Sequence, residues 1–314
     1  QSGCCDPMER VGRRVFFDAY DPGHGAELWR SDGTEQGTRL VKNITPGSDS
    51  SYLIGMRNIG GALFFTIGDA PGRQLWRSDG TEQGTTMVAD HFRGREWTDV
   101  AGTFFFTARD DAHGVELWKT NGTAAGTRLV KDIKPGVVSS GPYDLTSVGR
   151  TLFFSAYTGP LGSELWKSDG TSAGTKVVRN LVPGHGSSTP YDLTAVGHRL
   201  FFTARDATRD RELWVSDGTR RGTRRVKDIR RGASSDPWNL TALGRRVFFT
   251  ADDGTHGEEP WMSNGTGAGT RLVDDVEPGR VGSSPYYLTR VGRSVYFFTD
   301  QSQVHGETLW KTVP

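Results

Sequence analysis

The chain lacks most of the features that mark common function classes. Its 314 residues contain two cysteines, Cys4 and Cys5, which are adjacent. No CxxC pair exists, so a structural zinc site has no ligand set to draw on. The adjacent pair leaves three states open: a strained vicinal disulfide, a bond to another chain, or free thiols. No apolar run approaches the length of a membrane span. Neither sign of charge dominates, since 38 Lys and Arg face 37 Asp and Glu for a net charge of +1. That balance provides no global field to draw DNA, RNA or an anionic membrane. The first residue is Gln1 and no signal-peptide pattern follows it, which reads as a mature or trimmed form. GxSxG, HExxH, GxGxxG and GxxxxGK[ST] strings are all missing. An enzyme that gathers its groups from several segments would still escape such a search. No cofactor is expected.

What the chain does have is turns and aromatic mass. Hydrophobic residues are only 34%, yet 9 Trp, 16 Phe and 8 Tyr concentrate the apolar area in few side chains. With 42 Gly and 14 Pro, long helices have little room and turns are frequent. A Trp recurs at Trp29, Trp76, Trp118, Trp166, Trp214, Trp261 and Trp310, in steps of 47, 42, 48, 48, 47 and 49 residues. The phrase around it also returns, as in ELWRSDGTEQGTRLV and ELWKSDGTSAGTKVV. A period in the forties built of short strands is propeller-blade length. In the fourth unit the four strand-sized runs are YDLTSVG, RTLFFSAY, SELWKSDG and GTKVVRNL. A double Phe recurs as Phe16-Phe17, Phe64-Phe65, Phe153-Phe154, Phe201-Phe202 and Phe248-Phe249. Such a pair suits a middle strand buried on both faces. Asp-Gly or Asn-Gly between the third and fourth runs is a tight-turn signal. The reading is an all-β, seven-bladed β-propeller of roughly 47-residue four-stranded repeats, forming one domain over residues 1–314.

These units resemble the ELWxxDGT repeat proteins found mainly in secreted or surface-exposed bacterial chains. The resemblance runs from about Val11 to Trp310. It departs at Pro260, where Leu is the family residue, at Asn121 and Asn264 in place of Asp, and in the last unit, which lacks DGT. It implies a propeller-like repeat and an extracellular or cell-surface setting, and it implies no reaction. The last unit provides three runs and no fourth. The ring is therefore expected to carry an incomplete junction blade, or one closed by the first five residues.

Four features bear on chemistry. The recurring Asp32, Asp79, Asp169 and Asp217 invite a calcium reading, but one carboxylate per turn falls far short of six to eight converging oxygens. A structural turn is expected, and no metal. His24, His113, His256 and His305 each precede a Gly and the Glu-containing phrase. Repeated in four blades, they read as loop anchors rather than as acid–base pairs, because catalysis needs one asymmetric constellation.

The third feature is an arc. Pro142-Tyr143-Asp144, Pro190-Tyr191-Asp192 and Pro237-Trp238-Asn239, with Pro285-Tyr286, stand where inter-blade loops enter the innermost strand. Rings beside carboxylates and amides suit sugars or extended peptides. The alternative is that the rings pack on their prolines and close the loops. The matching positions in units one to three are Asp6, Ile54 and Arg95. The shortened third unit groups His91, Arg93, Arg95, Glu96 and Asp99. Last, the stretch Arg205 to Arg231 holds ten Lys or Arg against five acids, either a grip for an acidic polysaccharide or ordinary solvated surface.

The expectation is a secreted or surface binding and adhesion module for a glycan or protein ligand, with no nucleic-acid partner and no transmembrane segment. Its binding residues would be Tyr143, Asp144, Tyr191, Asp192, Trp238, Asn239 and Tyr286. The alternatives are a hydrolase or lyase with a composite site at the channel mouth, and a purely structural assembly subunit.

Overall fold

Alternation of apolar and polar residues at period two dictates strands, and strands are what form. The computed structural model describes residues 8–68, 73–90, 92, 97–301 and 306–312. Among them there is no helix, so none is long and apolar enough to cross a membrane.

The strands follow one another in seven antiparallel sheets. Sheet 1 holds β1 (Met8–Val11), β2 (Arg14–Asp21), β3 (Gly25–Ser31) and β4 (Arg39–Lys42). Sheet 2 holds β5 (Ile54–Ile59), β6 (Ala62–Ile67), β7 (Gln74–Ser78) and β8 (Thr86–Ala89). Sheet 3 holds β9 (Trp97–Val100), β10 (Thr103–Ala108), β11 (Glu116–Thr120) and β12 (Arg128–Lys131). Sheet 4 holds β13 (Tyr143–Val148), β14 (Thr151–Thr158), β15 (Gly162–Ser168) and β16 (Lys176–Arg179). Sheet 5 holds β17 (Tyr191–Val196), β18 (Arg199–Arg205), β19 (Arg211–Ser216) and β20 (Arg224–Arg225). Sheet 6 holds β21 (Trp238–Leu243), β22 (Arg246–Asp252), β23 (Glu258–Ser263) and β24 (Arg271–Leu272). Sheet 7 holds β25 (Tyr286–Val291), β26 (Ser294–Gln301) and β27 (Gly306–Thr312).

Within each sheet the strands pair in sequence order. This is the blade layout of a seven-bladed β-propeller, one sheet per repeat. Sheet 7 has three strands among the described residues. The expectation that the first five residues complete it falls outside them.

The contacts divide the chain into two compact units, one up to Ser139 with sheets 1 to 3 and one from Ser140 with sheets 4 to 7. Inside each unit the core lies between successive sheets. The paired phenylalanines of the second strand provide it, as expected. Phe64, Phe65, Phe153, Phe154, Phe201, Phe202, Phe248 and Phe249 are all buried, and only Phe17 of the first pair is half-buried. Leu193, Leu200 and Phe202 of sheet 5 pack on Phe153 and Leu165 of sheet 4, and Phe248 and Met262 of sheet 6 meet Val295 of sheet 7.

Candidate functional site

The Trp-centred phrase is spent on architecture. In each complete Ser/Thr-Asp/Asn-Gly-Thr turn the Asp or Asn oxygen accepts the N–H and hydroxyl of the following Thr. In sheet 4, Asp169 Oδ1 takes Thr171 N–H at 2.8 Å and Thr171 Oγ1 at 2.7 Å. Thr171 Oγ1 in turn accepts Gly174 N–H at 2.9 Å. A Cβ on Gly174 would lie 2.0 Å from Asp169 Oδ1, which explains the second Gly of the phrase. The hydroxyl and amide donors from Thr hold the carboxyls of Asp32, Asp79 and Asp217 below the ordinary carboxylate range. Among the described residues, no group of three His, Cys, Asp or Glu side chains is placed to hold a metal ion.

The Glu of the same phrase turns out to be a latch between repeats. Glu27, Glu116, Glu164, Glu212 and Glu259 are all fully buried. Each accepts hydrogen bonds from the connection that leaves its sheet for the next. Glu164 takes Leu181 N–H at 3.1 Å, Ser188 N–H at 3.2 Å and Ser188 Oγ at 2.7 Å. Glu259 takes Val276, Glu277 and Ser283 N–H together with Ser283 Oγ. Burial raises the carboxyls of Glu164 and Glu259 above the ordinary value and lifts Glu212 to about 7. A perturbed carboxyl of this kind marks a catalytic acid when it stands alone in a cleft. Here it recurs sheet after sheet with the same loop partners, so it is structural.

The histidines are hairpin anchors, as expected, but their partner is not the Glu. His24, His113 and His256 place Nδ1 2.8 Å from an oxygen of Asp21, Asp110 and Asp253, three residues earlier. Those hydrogen bonds raise the imidazoles of His113 and His256. The fourth, His305, lies outside the described residues.

The aromatic arc sits where the sequence places it, at the first residue of the innermost strands of sheets 4 to 7. Two left-handed residues bracket each ring. Gly141, Thr189, Asp236 and Ser284 stand two positions before it with φ between 42° and 54°. Asp144, Asp192, Asn239 and Tyr287 follow it with φ between 53° and 58°. Sheet 2 repeats the frame with Tyr52 and Gly55 around Ile54. Left-handed backbone at non-glycine residues costs about 1–3 kcal/mol each, and Asp and Asn bear it best. The second left-handed residue makes a bulge, and the strand register shifts directly after Tyr143, Tyr191, Trp238 and Tyr286.

The bulge directs the polar side chains at the next sheet. Asp144 Oδ2 accepts Leu193 N–H at 2.7 Å and Asp192 Oδ2 accepts Leu240 N–H at 2.8 Å. Thr146, Thr194 and Thr241 donate to the carbonyls of Leu193, Leu240 and Leu288. The Tyr143 hydroxyl donates to Pro190 O at 2.8 Å and that of Tyr191 reaches Pro237 O at 3.5 Å. The Arg211 guanidinium, only 7% exposed, lies 4.4 Å from the Tyr191 ring centroid and donates to Thr189 O. Tyr286 donates to Glu307 Oε1 at 2.8 Å. Burial raises the Tyr143 hydroxyl and the Asp192 carboxyl.

Much of the arc thus binds sheet to sheet, and all four rings remain half-buried. At its centre, Asn239 Nδ2 is buried with no hydrogen-bond partner among the described residues. This frame is hard to see in the sequence, because four of its ten left-handed positions, Tyr52, Thr189, Ser284 and Tyr287, are neither Gly nor Asn nor Asp. The repeated Ser-Ser before each Pro-aromatic step was its only trace.

The other two candidates resolve differently. Of the ten basic residues between Arg205 and Arg231, half are structurally committed. Arg211 is buried, Arg225 pairs with Asp206 and Asp228, and Arg230 with Asp252. Arg224 and Lys227 donate to carbonyls of Gly265 and Thr270 in the next sheet. In the third unit His91, Arg93, Arg95 and Glu96 lie outside the described residues, as do Cys4, Cys5 and Asp6. Asp99 accepts Gly102 N–H at 3.3 Å and so caps a turn.

No family model matches the chain, and no curated protein does. Among solved structures, a prolyl endopeptidase superposes on 98% of the chain with a TM-score of 0.54 at 13% identity. A puromycin hydrolase superposes on all of it with a TM-score of 0.50 at 15% identity. The chain spans about half the length of these proteins, 50% and 52% respectively. The β-propeller domain of the trilobed protease from Pyrococcus furiosus matches 98% of this chain and 94% of its own, with a TM-score of 0.48 at 10% identity. At such identities the likeness is one of fold alone.

Proposed function

We propose that the chain is an extracellular binding and adhesion module that recognises a glycan or protein ligand through the loop entries of sheets 4 to 7. One observation carries this reading: the half-buried Trp238 ring stands beside the buried Asn239 amide nitrogen, which no described group satisfies. An unsatisfied buried donor costs about 1–3 kcal/mol, and a ligand hydroxyl or carbonyl would meet it. An aromatic face with one convergent polar group is the common grammar of sugar and peptide recognition. The repeated left-handed frame supports the reading too. It holds one backbone shape and fills its leading slot with Tyr52, Gly141, Thr189, Asp236 or Ser284. The carboxylates of the Asp-Gly-Thr turns and of the buried Glu latch, by contrast, are held by the scaffold.

A glycan array followed by titration tests the proposal. A ligand bound by the parent protein is expected to lose at least tenfold in affinity with Tyr191→Ala/Trp238→Ala, and less with Asn239→Ala. Unchanged affinity in the double variant would overturn it.

A further inference from the structure

The other end of the same inner strands carries a second feature. β13, β17, β21 and β25 each turn back through a two-residue hairpin, fixed by the pairs Val148–Thr151, Val196–Arg199, Leu243–Arg246 and Val291–Ser294. The first turn residue is always Gly with φ of 61° or 62°, the type II′ pattern. The second is always basic: Arg150, His198, Arg245 and Arg293. No acidic residue occurs in any of the four turns. Successive inner strands are neighbours, as the Thr146, Thr194 and Thr241 bonds require. The tips therefore form a basic row, hidden in a chain whose net charge is only +1.

At one end of the row the tips enclose a cavity of about 460 Å³. Leu243, Gly244 and Gly292 line it together with four arginines, Arg245, Arg246, Arg290 and Arg293. The corresponding cavity between sheets 1 and 2 includes the carboxylate of Asp79 and has Gly61 where Arg293 stands. Arg199, the counterpart of Arg246 in sheet 5, donates to Asn264 O at 3.0 Å. In the cavity between sheets 6 and 7, none of the described lining residues is acidic, and Arg290 Nε donates to Gly292 O at 3.2 Å. Guanidinium groups offer planar forks that fit carboxylate, sulfate or phosphate oxygens two at a time. Four of them around one open cavity, with no acidic residue among the described residues that line it, repel one another until an anion arrives.

We infer that this arginine cavity and the basic row leading to it bind an anionic polysaccharide, with a carboxylate or sulfate group seated among Arg245, Arg246, Arg290 and Arg293. A row of tips suits an extended chain, and a terminal cavity suits one anchored unit. The tips present no aromatic ring, so unpaired bases would find nothing to stack on, and single-stranded nucleic acid is disfavoured. The site is independent of the aromatic arc. It lies at the opposite end of strands about five steps long, or ~17 Å.

The test is binding of the whole chain to dextran sulfate and to hyaluronate, with neutral dextran and a single-stranded oligonucleotide as comparators. The parent is expected to bind one or both polyanionic sugars in a salt-sensitive way and to ignore neutral dextran. Arg245→Ala/Arg293→Ala alters exposed turn residues only and is expected to weaken binding at least tenfold. Arg245→Lys/Arg293→Lys, which keeps charge but loses the fork, should fall between. Arg220→Ala/Arg221→Ala, on another turn, should match the parent. Failure to bind either polyanion, equal binding by the alanine pair, or tighter binding of the oligonucleotide would each overturn the inference. None of these outcomes bears on ligands of the Tyr191–Trp238 arc.

Discussion

The connection leaving sheet 2 and the connections leaving sheets 4, 5 and 6 solve one problem in two ways. In the later sheets a buried Glu gathers the amide and hydroxyl groups of a long loop, as Glu164 does with Leu181 and Ser188. In sheet 2 the residue is Gln74, and its side-chain oxygen turns back to accept the indole N–H of Trp76 at 3.0 Å. The connection is shorter there, and Phe92 plugs it. That ring is 1% exposed and packs 5.7 Å from Phe106 and 5.8 Å from Trp97. A long loop carries many backbone groups that must be satisfied, so a multivalent acceptor serves it. A short loop has few, and an apolar anchor suffices. The repeated Glu is thus a property of loop length and not of chemistry performed on a substrate.

Substitutions separate the two solutions. Phe92→Ala is expected to have the largest effect, about 3–5 kcal/mol of lost stability in denaturant melts, because it empties a packed site. Glu164→Ala comes next at roughly 2–4 kcal/mol, since it strands Leu181 N–H and the Ser188 groups in a dry interior. If Glu164→Ala were silent, the latch would not hold the loop. Asp169→Ala removes only the turn's local acceptor and should cost about 1 kcal/mol. Gly174→Ala should cost at least as much, through its collision with Asp169.

The latch also predicts a pH dependence. Glu212 titrates near 7 in the folded chain against an ordinary 4.5, so the folded state holds this proton more tightly than the unfolded one. Its contribution is complete below the ordinary value and is lost as pH rises through that window. Glu164 and Glu259 shift in the same direction. Stability measured from about pH 5 to about pH 7 should therefore decline, and Glu212→Gln should remove part of the slope. A variant with an unchanged slope would contradict the buried-carboxyl account.

The seven units, their strands and the DGT turn were legible because each rests on local rules: period two, paired phenylalanines, and Asp-Gly at a turn. The roles of Glu164 and its counterparts were not, because their partners lie 17 to 24 residues away across a loop. His113 invited pairing with the nearby Glu of the phrase, and its true partner is Asp110 behind it. In the basic fifth unit the sequence leaves a ligand grip and ordinary surface both open, and the partners of Arg211, Arg225 and Arg230 exist only in three dimensions. The arginine tips are not legible in the sequence because each unit contributes only one or two residues, and their alignment exists only once the inner strands stand side by side.

The central claim is that the repeated phrase builds the protein and the loop-entry residues read the ligand. Its most direct test is a paired titration with a ligand found on the array, using Tyr191→Ala/Trp238→Ala and Asp169→Ala/Asp217→Ala. The first variant should lose at least tenfold in affinity while still melting cooperatively. The second should melt earlier yet bind as the parent does. Lost binding in the turn variant, with full binding in the aromatic one, would contradict the account.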